Sequence, residues 1–161
     1  MIGSATFSED GMYRYHLMRE WDQKLDKICF VMLNPSLADG MHTDNTIRRC
    51  INFAKSWGYG GIEVVNLFAF ITPYPEELYQ AADPIGPANL RYLKQVTKSS
   101  KQIVAAWGNL GVLEKLAHEK IDFTALGKLM CIKVNKTGEP AHPLYLSAKL
   151  KPKSYDLKIA A

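Results

Sequence analysis

The chain has few of the residues that organise covalent or metal-bound chemistry. Its three cysteines, Cys29, Cys50 and Cys131, are odd in number, scattered, and each set in an apolar run. That usage excludes a disulfide framework and fits reduced core thiols. No CxxC pair or HExxH segment occurs, and His16, His42, His118 and His142 lack zinc-like spacing, so no metal, iron–sulfur centre or other cofactor is expected. GxGxxG, GxxxxGK[ST] and GxSxG are all missing, which removes sequence support for dinucleotide binding, P-loop chemistry and the serine hydrolase elbow. No stretch approaches the roughly 18 apolar residues of a membrane span. The opening MIGSATFSEDGMYRY has neither the basic start nor the apolar run of a signal peptide. A cytoplasmic protein without a membrane partner is the expectation.

What is present describes a globular chain. The 161 residues are 47% hydrophobic and 22% charged, a balance that supports one core, so a single α/β domain over residues 1–161 is expected. The formal charge of +4 is mild. It is concentrated at the end, where Lys149, Lys151, Lys153 and Lys158 face one acid, Asp156; such a segment suits a phosphate backbone, or is simply a solvated terminus.

Hydrophobic patterning organises the rest. Asp10-Gly11 separates two stretches in which Tyr13, Tyr15 and Leu17 alternate with polar residues, the signature of a hairpin flanking the main sheet. Strands are predicted over 27–33, 62–68, 102–106 and 128–134. Helices are predicted from the 3.6-residue recurrence of Ile47, Cys50, Ile51, Ala54 and Trp57, and over about 89–97 and 112–118. Strictly alternating strands and helices imply a mostly parallel sheet, here a four-stranded core.

Each predicted strand stops at a polar or glycine signature: Asn34-Pro35-Ser36, Asn66, Trp107-Gly108, and the loop carrying His142. In an open α/β sheet, ligands lie beyond the carboxyl ends of the strands, so these residues are candidates for one site. Asn66 carries the most information, because an amide inside VVNLFAF requires partners; they are either neighbouring backbone or the donor–acceptor edge of a base. His142, stiffened by Pro140 and Pro143, suits electrophilic work on a developing oxyanion. Asp39 and Asp44 flank the loop after Asn34, where a carboxylate can activate water or stabilise an oxocarbenium-like sugar; helix capping is the plainer role for Asp44. Phe68, Phe70 and Trp107 are candidates for stacking on a base, or for the core.

With Asn34-Pro35-Ser36, Asp44-Asn45-Thr46-Ile47-Arg48-Arg49-Cys50, Val65-Asn66-Leu67-Phe68, Ala106-Trp107-Gly108 and His142-Pro143-Leu144 in this order, the chain resembles domain of unknown function 1643 over nearly its whole length. That family has no assigned activity. The same motif order is similar to the uracil-DNA glycosylase superfamily, whose first motif can read Gly-Ile-Asn-Pro-Gly and whose late motif is of His-Pro-Ser type. Ser36 stands where that superfamily has glycine, Leu144 where it has serine, and the first motif has no aspartate.

The second resemblance implies a three-layer α/β/α sandwich and binding of a nucleobase or nucleotide, with N-glycosidic hydrolysis in DNA as the reaction. Under it Asn34 positions water, Asn66 recognises the base and His142 stabilises the departing base, while the segment 144–151 faces nucleic acid. The alternative is a non-catalytic domain that binds a nucleotide or another small ligand in the same pocket.

Overall fold

The computed structural model describes residues 1–157. In chain order its strands and helices are β1 (Ile2–Phe7), β2 (Arg14–Glu20), β3 (Lys27–Met32), α1 (Asn45–Ser56), β4 (Gly61–Asn66), α2 (Asn89–Ser99), β5 (Ile103–Ala105), α3 (Glu114–Lys120), β6 (Met130–Cys131) and β7 (Lys153–Ser154). The strands form one mixed sheet in the order β1-β2-β4-β3-β5-β6-β7.

The strands β3, β4 and β5 sit in the middle because their residues are apolar on both faces. Cys29, Val31, Val65, Ile103 and Ala105 pack with Leu93 and Val96 of α2 and Ala117 of α3. Ile28, Phe30, Met32, Ile62, Val64 and Val104 face the other way, against Ile47, Cys50, Ile51 and Ala54 of α1. The predicted helix periodicity is therefore the contact face of α1. The three cysteines are free and buried in these two layers.

The pairing around β3 is parallel, with Met32 opposite Asn66 on β4 and Val31 opposite Ala105 on β5. β5 and β6 meet in parallel at one pair, Val104 with Met130. The sheet is larger than the four strands expected. The N-terminal hairpin does not merely flank it: β2 pairs antiparallel with β4 and extends the sheet. At the far edge β7 pairs antiparallel with β6. The strand predicted over 128–134 shrinks to two residues because the chain leaves the sheet to pair with its own return; Ala141 N donates to Lys133 O and Asn135 N to Glu139 O, both at 2.8 Å. That small ladder carries the loop bearing His142.

The hairpin holds a second departure. Thr6 pairs with His16 and Phe7 with Arg14, leaving Tyr15 without a partner on β1. This is a β-bulge, and it breaks the alternation that the sequence suggests. Tyr13 and Tyr15 pack with Ala69 and Tyr92, whereas Leu17 joins the layer under α1. Arg14 and Leu17, three residues apart, then lie on the same side of the sheet, which unbroken alternation forbids.

Candidate functional site

Because β3 and β4 are parallel and in register, they end together, and the ladder runs on as Leu67 N donates to Met32 O and Phe68 N to Leu33 O, each at 2.9 Å. Beyond these ends is a cavity of about 280 Å³. Asn34, Pro35, Ser36, Asp44, Asn66 and His142 all line it, together with Arg14, Thr46, Ile47, Thr72, Pro73, Pro75 and Leu144. A larger apolar cavity of about 640 Å³ lies between the 78–90 segment and α3. It gathers none of the polar side chains at the strand ends, so the smaller cavity is the candidate site.

Asn34 is tied on one side only. Its Nδ2 donates to Pro35 O at 3.0 Å, Thr72 O at 2.9 Å and Phe70 O at 3.4 Å. Three carbonyls around one atom fix that atom as the nitrogen, so Oδ1 is the acceptor that Asn34 has left to offer. The same bonds hold the 70–72 segment against the end of β3.

Asn66 ends β4 and is 1% exposed, and among the described residues neither its Nδ2 nor its Oδ1 has a hydrogen-bond partner. The backbone around it is by contrast well held: Asn89 Nδ2 donates to Asn66 O at 2.8 Å and to Leu67 O at 3.1 Å. A buried amide with both ends unpaired costs about 1–3 kcal/mol per group. Its position on the cavity wall is where a ligand would supply the missing donor and acceptor.

Asp44 is the N-cap of α1. Its Oδ1 accepts from Ile47 N at 2.9 Å and its Oδ2 from Ala38 N at 3.3 Å, which fixes the carboxylate at the cavity edge. Asp39 stands aside from the cavity, closing the 39–42 turn: its Oδ1 accepts from Met41 N at 2.8 Å and His42 N at 2.6 Å. Those backbone bonds, led by that from His42, pull its carboxyl down to about 2.

The imidazole of His142 is defined by one contact. Leu144 N donates to its Nδ1 at 3.2 Å, so Nδ1 carries no proton and the neutral ring bears its hydrogen on Nε2. Burial holds its pKa below the ordinary histidine value, against an opposing pull from Asp44. The result is a neutral donor at pH 7.

Three of the candidate residues lie away from the cavity. Phe68 is fully buried in the layer with α2, and Trp107 packs in the same layer against Phe123 and Tyr155. Neither side chain reaches the cavity, because each belongs to the face of the sheet opposite α1. Gly108 does not line it either. Trp107 and Gly108 instead anchor the loop of His142: Trp107 Nε1 donates to buried Glu139 Oε2 and Gly108 N to Pro140 O, both at 2.8 Å. Gly108 has φ of 74°, and a side chain added there would meet His142 Cβ at 3.7 Å. Phe70, also considered for stacking, packs edge-on against Tyr13.

Lys149, Lys151 and Lys153 are exposed, the last on β7, while the neighbouring Leu146 and Leu150 pack towards α1. Trp57 Nε1 donates to Leu150 O at 3.0 Å and pins this segment. Lys158 lies outside the described residues. Among the described residues no group of three or more His, Cys, Asp or Glu side chains is placed to hold a metal ion. No described helix is long and apolar enough to cross a membrane.

Sequence reasoning missed Arg14, Asn89 and Glu139. Arg14 is 2% exposed yet lines the cavity; its Nη1 donates to Ala38 O at 3.0 Å, and its Nε is buried without an acceptor. Burial pushes its pKa down to about 10, opposed by the charge of Asp44, so it remains a cation at neutral pH. Its sequence signal is a charge at the start of the alternating hairpin strand, which alternation reads as outward-facing.

A family model described as "Protein of unknown function (DUF1643)" matches residues 14–144. No curated protein and no solved structure matches the chain.

Proposed function

The chain belongs to the DUF1643 family of proteins of unknown function, and we propose from the chemistry of its cavity that it binds a nucleobase or nucleotide there and hydrolyses an N-glycosidic bond in DNA. On this reading the two helix-covered faces of the sheet make a uracil-DNA glycosylase-like α/β/α sandwich. The observation that carries the proposal is Asn66: a buried amide, unpaired at both ends, on the wall of a cavity at the strand ends. One donor beside one acceptor is the complement of a base edge. The cavity is slightly smaller than the roughly 300–1,000 Å³ of drug-sized sites, which suits a single extruded base.

Each group then has a role. Asn34 Oδ1 accepts from a water held for attack on the anomeric carbon. As the water oxygen bonds to that carbon, the carbon–nitrogen bond breaks and its electron pair leaves with the base. Asp44 stabilises the cationic sugar and takes the proton from water. His142 Nε2–H donates to the base as negative charge develops on it. Lys149, Lys151 and Lys153 meet the phosphate backbone.

Incubation with duplex and single-stranded oligonucleotides bearing uracil, mismatched or modified bases should produce abasic sites. Activity should disappear in Asn34→Ala and in His142→Ala. No cleavage across such a panel rejects the catalytic step. One observation favours the alternative, a non-catalytic nucleotide or small-ligand domain: both oxygens of Asp44 already accept from backbone N–H groups, as a structural cap would. Binding of a mononucleotide that is insensitive to salt, without cleavage, identifies that case.

A further inference from the structure

The guanidinium of Arg14 is a charged group of the cavity that the scheme above leaves unused. It is buried, and among the described residues it has no carboxylate within ion-pair distance and only Nη1 is satisfied, by Ala38 O. Within the described residues Nε has no acceptor and Nη2 makes no bond, so one whole edge of the guanidinium, two parallel N–H groups, is without a partner. A buried arginine left in that state is costly unless something else completes it. The backbone is also bent to put it there, since the bulge at Tyr15 brings Arg14 to the side of the sheet on which Asn66 lines the cavity. Bulges recur where a strand re-aims a side chain at a site.

A two-pronged donor requires two adjacent acceptors. Carboxylates and phosphates supply them, but Asp44 lines the same cavity and already contributes a negative charge felt by Arg14. A neutral ligand with an adjacent acceptor pair avoids that repulsion. Among bases, the O6 and N7 atoms of a 6-oxopurine form such a pair, and arginine matches them with two hydrogen bonds. The neighbouring N1–H and the second lone pair of O6 then face an amide like that of Asn66, which has one acceptor and one donor unpaired. Adenine presents a donor where O6 would be, uracil and thymine have a ring N–H between their two carbonyls, and cytosine, once its adjacent O2 and N3 are taken by the fork, has no neighbouring donor–acceptor pair left for Asn66.

We propose that Arg14 is a specificity-determining residue and that the ligand of this cavity is a 6-oxopurine, guanine or hypoxanthine, free or within a nucleoside or nucleic acid. The inference rests on the reading of the cavity as a nucleobase pocket.

The test is calorimetric binding of guanosine, inosine, adenosine, cytidine and uridine to the full chain, repeated with Arg14→Gln and Arg14→Lys after circular dichroism has established that each variant folds. Guanosine and inosine should bind the natural protein roughly tenfold or more tighter than the other three. Arg14→Gln should erase that preference. Arg14→Lys should erase most of it, because an ammonium keeps the charge but lacks the fork. Equal binding of all five nucleosides, preference for adenosine or a pyrimidine, or a preference unchanged in either folded variant overturns the role of Arg14 and leaves the nucleobase pocket standing. Absence of binding by every nucleoside overturns the pocket reading, and this inference with it. Selectivity of the natural protein decides the ligand class even if neither variant folds.

Discussion

An amide that is buried and unpaired within the described residues, as Asn66 is, costs the folded chain stability. Asn66→Leu replaces it with an apolar side chain of similar size, so the free protein should become more stable by about 1–3 kcal/mol, the size of the relieved desolvation penalty. At ~2–4 °C per kcal/mol for a chain of this length, thermal unfolding detects the change. Destabilisation by the usual amount for a core substitution would mean that the amide is satisfied in solution. His142 makes a prediction of opposite kind. Its pKa in the folded chain is depressed, so the unfolded chain binds the proton more readily. Its contribution to stability is therefore fully present above the unfolded value of about 6.5 and is lost as pH falls through the folded pKa. Unfolding temperatures measured from pH 8 down to pH 5 should fall more steeply for the natural protein than for His142→Gln; parallel curves would contradict the depressed pKa.

At the scale of elements, the N-terminus of α1 combines architecture with chemistry. Asp44 caps the helix and holds Ala38, and its carboxylate lines the cavity. Asp44→Ala should cost about 1 kcal/mol in denaturant unfolding, since a cap acceptor is lost. Asp44→Asn retains a capping oxygen, so it should unfold close to the natural protein while lacking the charge needed to stabilise a cationic sugar. Retained cleavage in a folded Asp44→Asn would remove Asp44 from the chemistry and leave it as a cap. The β1–β2 hairpin is the second element with two roles. It extends the sheet, and its bulge sets the side on which Arg14 lies; Arg19, farther along β2, donates from Nη2 to Asp39 O and His42 O and so ties the 39–42 turn to the sheet.

For the whole molecule, the question is whether a nearly neutral surface can hold a nucleic acid. The formal charge is only +4, so contacts should be few and local rather than spread over the surface. If Lys149, Lys151 and Lys153 each neutralise one phosphate, the logarithm of the binding constant for duplex DNA should fall against the logarithm of salt concentration with a slope of roughly −3, about −0.9 for each contact. Substituting each lysine by alanine should reduce the slope by about one unit. A slope near zero would separate the cavity from nucleic acid and favour a free nucleoside or nucleotide.

The sequence by itself determined the α/β class, the central apolar strands, the contact face of α1 and five of the polar side chains that meet at the cavity. It could do so because burial imposes periodicity, and because a strand that stops at a polar residue marks its own end; Asn34 and Asn66 are legible for that reason. Tertiary structure alone decided the rest. Phe68 and Trp107 fit the composition of a stacking surface, but the side of the sheet that each faces depends on where α2 and α3 pack. β6 is short because residues 133–141 pair with one another, a competition between ladders that no local pattern reveals. Arg14 reads as a solvent-facing charge in an alternating strand and becomes a cavity residue only because Tyr15 drops out of register with β1. Register is a property of two strands together, so a bulge that redirects a side chain leaves no sign in one of them alone.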